Sequence, residues 1–257
     1  MTINVDLNCD MGESFGRYIL GQDDEVLQYV TSANIACGYH AGDPPVIDKT
    51  VSMAGQHKVG IGAHPSYPDL QGFGRRYMEV DEEDLKSFLV YQIGALQTMA
   101  RIHGYPLQHV KLHGALYLQA AVNDGLASLA ADVIASIGKD IIFLAQAGTE
   151  MIRAGEEAGL KTAQEFFSDR NYDDEGKLLS RKHAQAMVEK REEAVERAIR
   201  VLTDNIVITP WGNKVNLGKV DTICIHGDTP TTVSFAYDLR NKLEKEGINV
   251  KPLAQFL

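Results

Sequence analysis

A chain of 257 residues is a length that one β/α domain uses entirely, since such folds run to about 250 residues without dividing. Hydrophobic residues make up 44% and charged residues 23%, which provides a sizeable core and argues against disorder. A net charge of -10 and a pI near 5.3 speak against a nucleic-acid partner, no apolar run approaches about 18 residues, and the chain opens directly into a strand. The expectation is one cytoplasmic domain, neither secreted nor membrane-spanning. Cys9, Cys37 and Cys224 form no CxxC pair or disulfide framework, which fits a reducing compartment, and they read as small buried filler.

Short β-rich runs alternate with longer helical patterns, with no linker, repeat or low-complexity segment between them. The predicted strands are Ile3 to Asn8, Ala33 to Cys37, Val59 to Ala63, His109 to Leu112, Ile141 to Ala145, Thr162 to Phe166 and Thr222 to Ile225. Asp43 before Pro44 reads as an N-cap with proline at N1, opening a helix to about His57. Asp81 with Asp84 resembles a capping box before a helix that buries Leu85, Phe88, Leu89, Leu96 and Met99 and runs to about His103. Ala184, Met187, Val188, Val195, Ile199 and Leu202 form a further stripe, with Glu189 to Glu193 and Arg197 as its solvated face. Residues 206–217, centred on Trp211-Gly212-Asn213, read as a small hairpin.

Nearly every apolar run ends on an ionisable side chain: Asp10, His40, His64, His113, Glu165, His226. In parallel β/α folds chemistry sits where strands hand over to the loops that follow them, so the pattern points to an enzyme. Side chains alternate between faces along a strand. Asn4, Asp6, Asn8 and Asp10 therefore share one face, assigned to the barrel interior. Carried along the chain, the same parity joins His40 to Asn34 and Ala36, His64 to Gly60 and Gly62, Lys111 to His113, Glu165 to Asp169, and His226 to Cys224 and Asp228. That many inward ionisable groups need partners, a metal or a substrate.

Two tempting motifs are set aside. Gly12-Glu13-Ser14-Phe15-Gly16 matches GxSxG, but a nucleophile elbow needs an immediate helix, and Gly21 interrupts too soon. Neither a Walker GxxxxGK[ST] nor a strand-borne GxGxxG is present, so there is no standard ATP cradle.

Seven segments are long and specific: DLNCDMGESFG (6–16), ANIACGYHAGDP (33–44), GAHPSYPDLQGFGRR (62–76), KLHGALY (111–117), EFFSDRNY (165–172), GKLLSR (176–181) and HGDTP (226–230). Together, in order and over almost the whole chain, they closely resemble the LamB/YcsF family of prokaryotic 5-oxoprolinase subunits. The resemblance implies a seven-stranded β/α barrel, TIM-like and of the glycoside hydrolase/deacetylase type. It also implies ATP-dependent opening of 5-oxo-L-proline (pyroglutamate) to L-glutamate, releasing ADP and phosphate, in company with separate subunits B and C. ATP then enters chiefly through those partners.

Lactam opening needs a group to activate water, donors for oxyanion charge, an acid for the departing nitrogen and a cation for the substrate carboxylate. The base candidates are Asp10, Glu13 and Asp228, with His64, His113 and His226 as proton relays; Asp10 and His113 are favoured. Lys111 and Arg170 are expected to hold the carboxylate or a phosphoryl group. Arg75 and Arg76, after a flexible Gly72-Phe73-Gly74, read as a mobile anion clamp or as surface solvation. His40, Asp43, Glu165 and Asp169 complete the substrate-binding candidates. HGDTP reads as an anion-binding helix start, or Asp228 as simply its cap. His57, His103, His109 and His183 are left out, the first three as near helix ends or strand starts and the last as part of a charged helix.

Asp10, His40, His64, His113, His226 and Asp228 also offer the ligands of a zinc or manganese site, although internal ion pairing explains them equally. Two other readings stand beside the first: a stand-alone metal-dependent amidohydrolase or deacetylase, and a non-catalytic scaffold for its partners. The number of copies in the assembly is open, a homo-oligomer included.

Overall fold

The first strand, β1 (Asn4–Met11), runs three residues past its expected end because Cys9, Asp10 and Met11 stay in register with Ala33, Asn34 and Ile35 of β2 (Ser32–Ala36). In this computed structural model, which describes residues 3–226 and 231–257, the other strands are β3 (Gly60–His64), β4 (Leu107–Lys111), β5 (Ile142–Gln146), β6 (Thr162–Phe167), β7 (Ile206–Ile208), β8 (Lys214–Asn216), β9 (Thr222–Ile225) and β10 (Asn249–Val250). The helices are α1 (Asp23–Val26), α2 (Pro44–Gln56), α3 (Glu82–Ile102), α4 (Gly114–Ala120), α5 (Asp124–Ile137), α6 (Glu150–Glu157), α7 (Arg191–Asp204) and α8 (Thr232–Lys245).

Seven parallel strands close a barrel in the order β1, β2, β3, β4, β5, β6, β9, with β9 pairing back to β1. The short β10 adds to β1 from outside, and β7 with β8 forms the expected antiparallel hairpin. Alternation sends Val5, Leu7 and Cys9 outward into the main core, which also takes Val51 and Ala54 from α2 and Leu89, Ile93 and Leu96 from α3. Each buried Val, Leu or Ile among them contributes roughly 1.5–3 kcal/mol. Among the described residues, no single helix is long and apolar enough to cross a membrane.

Four local expectations change. Asp43 caps α2 as expected, its carboxylate accepting from Val46 N, whereas Asp81 makes no side-chain cap bond at α3. The helix expected from Ala184 starts at Arg191. Residues 168–190 form an irregular strap held by the bridges Arg170 to Met187 and Tyr172 to Leu178, and His183 lies in a turn of that strap. Arg197 is not on the solvated face: it is 6% exposed and donates to Arg170 O and Asn171 Oδ1. The Gly72-Phe73-Gly74 segment is tied down rather than hinged, with Gly74 N donating to Asp69 O and Ala115 N to Gly74 O.

Candidate active site

The inward face of β1 builds a polar ladder up the barrel. At the bottom Asp6 accepts hydrogen bonds from Thr31, Ser32 and Thr222 hydroxyls at 2.6–2.7 Å. Burial pushes its carboxyl up to about 6 despite those donors. One step higher, Asn8 donates to Thr222 Oγ1, while Asn34 donates to both Asn8 Oδ1 and Asp10 Oδ1 at 2.8 Å. His109 belongs to this layer. It shares the parity of Lys111, and its Nε2 lies 2.8 Å from Asn34 Oδ1. Burial first, and then Lys111, push it down to about 3, so it is a neutral structural donor. Gly62 makes room for it, because a Cβ there would lie 2.0 Å from the His109 ring.

Lys111 is the hub of the next layer. Its ammonium lies 2.9 Å from Asp10 Oδ1, 2.9 Å from Glu165 Oε1, 3.2 Å from Asn8 Oδ1 and 3.2 Å from Cys224 Sγ. The Glu165 contact is a close ion pair that falls short of hydrogen-bond geometry, and the other Glu165 oxygen accepts from Tyr117 OH at 2.6 Å. Burial alone would push Asp10 up, but His64 and Lys111 outweigh it and hold the carboxyl well below its ordinary range. Burial would push Lys111 down, and its anionic neighbours hold it well above instead. The Cys224 thiol is pushed well up, chiefly by burial, so it is inert filler.

Above Lys111 three imidazoles meet. His64 Nδ1 contacts Lys111 O at 2.8 Å and His113 Nε2 contacts Phe73 O at 2.9 Å. A carbonyl only accepts, so both of those nitrogens carry hydrogen. The remaining contact, His113 Nδ1 to His64 Nε2 at 2.9 Å, needs one hydrogen more. The pair therefore holds three ring protons and one positive charge, next to Asp10 at 3.4 Å. Burial and then His64 push His113 well below its ordinary value. His40 stacks on His113 with centroids 3.7 Å apart and reaches Glu13 at 3.2 Å. Gly74 and Gly114 permit this closeness: both have positive φ, and a Cβ on Gly74 would strike Ser66, His113 and His40.

Glu13, His40, His64 and His113 converge closely enough to be tested as a metal cluster, their candidate ligand atoms lying within 4.8 Å of one another. The outward N–H of His64 and of His113 each meets a backbone carbonyl, as metal-bound imidazoles do. The ring geometry does not fit, because imidazoles 3.7 Å apart and 5° from parallel cannot both aim in-plane lone pairs at one ion. Asp10, Cys224 and His226 also lie close together. The Lys111 ammonium occupies that space, and Asp169 and Arg181 engage both nitrogens of His226.

The mouth is a cavity of about 290 Å³, lined by Asp10, His64, Lys111, His113, Arg75, Arg170 and His226 from the expected set. Leu112, Tyr117, Leu118, Phe167 and Leu178 supply an apolar wall, and Arg181 and Lys182 add two more cations. Glu13 and His40 stand behind the histidine cluster, Glu165 beneath Lys111, and Asp169 behind His226. Three candidates lie elsewhere or outside the described residues. Asp43 caps α2 and accepts from Gly16 N, Arg76 pairs with Asp69 away from the cavity, and Asp228, with most of HGDTP, is outside the described residues. No helix directly follows Ser14, whose hydroxyl bonds to Leu20, as expected of a broken elbow. Asn34 and His109 share the inward parity of their strands, and Arg181 closes the GKLLSR segment. Tyr117 carried no separate signal.

A family model described as LamB/YcsF matches residues 5–257. The chain belongs to the LamB/YcsF family. A relative from Natranaerobius thermophilus, named as a subunit of 5-oxoprolinase, is 47% identical across 97% of this chain and 96% of its own length. A lactam utilization protein from Thermus thermophilus superposes with a TM-score of 0.92 at 38% identity, covering 98% of this chain and all of that one. The catalytic domain of a peptidoglycan deacetylase from Eubacterium rectale, at 9% identity and a TM-score of 0.53, shares with this LamB/YcsF chain the fold alone.

Proposed function

We propose that this chain is the lactam-opening subunit of an ATP-dependent 5-oxoprolinase, converting 5-oxo-L-proline to L-glutamate together with subunits B and C. The observation that carries the reading is the mouth cavity. In a protein of net charge -10, its wall gathers Arg75, Arg170, Arg181 and Lys182 around an apolar slot above Asp10 and Lys111. Such a field favours a small anion with an apolar body, which describes 5-oxoproline and its phosphorylated form.

In this reading ATP is spent at the partner subunits, transferring its γ-phosphoryl group to the lactam oxygen and leaving ADP. A water then adds its oxygen to the activated carbon, both of its hydrogens end on the ring nitrogen, and the C–N bond breaks to give an acyl phosphate. A second water releases phosphate and glutamate. The chain's own residues bind and move protons. Arg170 and its neighbours hold the anionic end, Lys111 with the positively charged His64–His113 pair stabilises developing oxyanion charge, and Asp10 or His226 accepts the water proton. Both nitrogens of His113 are engaged, so it acts through His64. The converging donor set of Glu13, His40, His64 and His113 is what favours the metal-hydrolase reading, and the stacked rings count against it.

The test is glutamate release from 5-oxoproline by purified B and C, with and without this chain and ATP. Release only when all are present supports the reading. Lactam or acetamide hydrolysis by this chain alone, scaling with bound zinc or manganese, would replace it with the metal-hydrolase reading.

A further inference from the structure

The strap between β6 and α7 carries polar atoms that its own fold leaves without partners. The atoms Ser168 Oγ, Asp169 Oδ1 and Arg170 Nε, on three consecutive residues, are buried and make no hydrogen bond. An unmet buried polar atom costs about 1–3 kcal/mol, so three in a row are not there for stability. Arg170 is 3% exposed and lines the cavity.

From the same strap, exposed Arg181 reaches across the cavity and lies 3.0 Å from His226 Nε2. A guanidinium only donates, so Nε2 is the acceptor and the ring hydrogen sits on Nδ1. There it is given to Asp169 Oδ2 at 2.5 Å. Asp169 thus holds His226 in the tautomer a general base needs, with the lone pair toward the cavity and Arg181 capping it. The charged groups around the ring are Asp169, Arg181, Arg170 and Asp10. A neutral imidazole nitrogen is a poorer partner for a guanidinium than a carboxylate or phosphoryl oxygen.

We propose that Arg181 is a positioning residue that caps His226 Nε2 until substrate arrives and is drawn off by the anionic group of the substrate, so that the base is released only when substrate is bound. The inference rests on the lactam-opening reading and gives the GKLLSR segment a role in it. Once uncovered, Nε2 takes a proton from water as the water oxygen bonds to the lactam carbon, and it returns that proton to the ring nitrogen as the C–N bond breaks. A lactam of the same shape without the negative charge leaves the cap in place.

Nitrogen NMR of the full chain with labelled histidine tests this, using 5-oxo-L-proline and its primary carboxamide as probes. In the wild-type chain 5-oxoproline should shift the His226 Nε2 resonance to the position it already has in Arg181→Met without ligand, and the carboxamide should not. Identical His226 resonances in wild type and Arg181→Met, or an equal shift with the carboxamide, would overturn the cap. If 5-oxoproline moves resonances of other cavity residues but leaves His226 unchanged, the cap fails and the lactam reading stands. If it perturbs no cavity residue at all, both fail.

Discussion

The barrel interior and the strap over its mouth are both rich in polar side chains, and they differ in how their unpartnered atoms are spread: the interior leaves Glu165 Oε1 and His40 Nδ1 open within a connected network, and the strap leaves three in consecutive residues. Inside, Asp6, Asn8, Asn34, His109 and Lys111 form one hydrogen-bonded ladder. On the strap, Ser168, Asp169 and Arg170 each keep a buried atom unpartnered. A connected network is rigid and costly to disturb, whereas a run of unsatisfied atoms is poised for a ligand. Interior substitutions should therefore show first as lost stability, and strap substitutions as lost recognition.

The largest expected effect is Lys111→Met. It strands the buried carboxylates of Asp10 and Glu165, and breaking a buried pair in this way costs about 3–5 kcal/mol. Denaturant unfolding should show that loss together with loss of glutamate release; an unchanged midpoint would mean that the hub is not structural. Next, Asp6 gives the interior a pH signature. Its pKa rises from 3.8 to about 6, so the protonated carboxyl is favoured by folding. That contribution, about 3 kcal/mol, is present in full below pH 3.8 and is lost as pH rises through about 6. Asp10 and Asp169, held low, contribute oppositely, their stabilisation being lost as pH falls below the ordinary carboxylate range. The difference in stability between wild type and Asp6→Asn should therefore change between about pH 4 and 6. A flat difference would sink the assignment.

Gly62→Ala comes third, at roughly 1–3 kcal/mol, because the added methyl meets the buried His109 imidazole, which is held in place by Asn34. Thermal unfolding measures it. Arg170→Met, on the strap, should raise KM for 5-oxoproline at least about tenfold in the reconstituted enzyme with little change in the unfolding midpoint. Equal changes in both would blur the contrast between the two regions. The smallest effect on glutamate release is expected from Arg76→Ala, since the exposed Arg76 pairs with the buried Asp69 apart from the cavity.

Strand alternation made the interior legible from residue types alone. All seven barrel strands fall within three residues of their expected ends, and the parity of Asn4, Asp6, Asn8 and Asp10 places Asp10 beside Lys111 and His64. His109 carries the same inward parity as Lys111, although its place near a strand start reads as structural. The strap was not legible. The apolar residues from Ala184 to Val188 mimic a helical stripe, but they serve an irregular segment fixed by long-range bridges, which periodicity cannot register. The same long-range packing turns Arg197 inward and delivers Arg181 to His226 from 45 residues away. Asp43 and Arg76 have suitable chemistry for a site, and only the fold shows their local employment as a cap and an ion pair.

The most direct test of the proposed role is Asp10→Asn in the mixture with B, C, ATP and 5-oxoproline, because Asp10 joins the interior ladder to the cavity and the amide nearly preserves its shape. Glutamate release should fall by about 10²–10⁴-fold while the variant keeps its fold. Release at the wild-type rate would contradict a catalytic mouth and leave the chain as a scaffold for its partners.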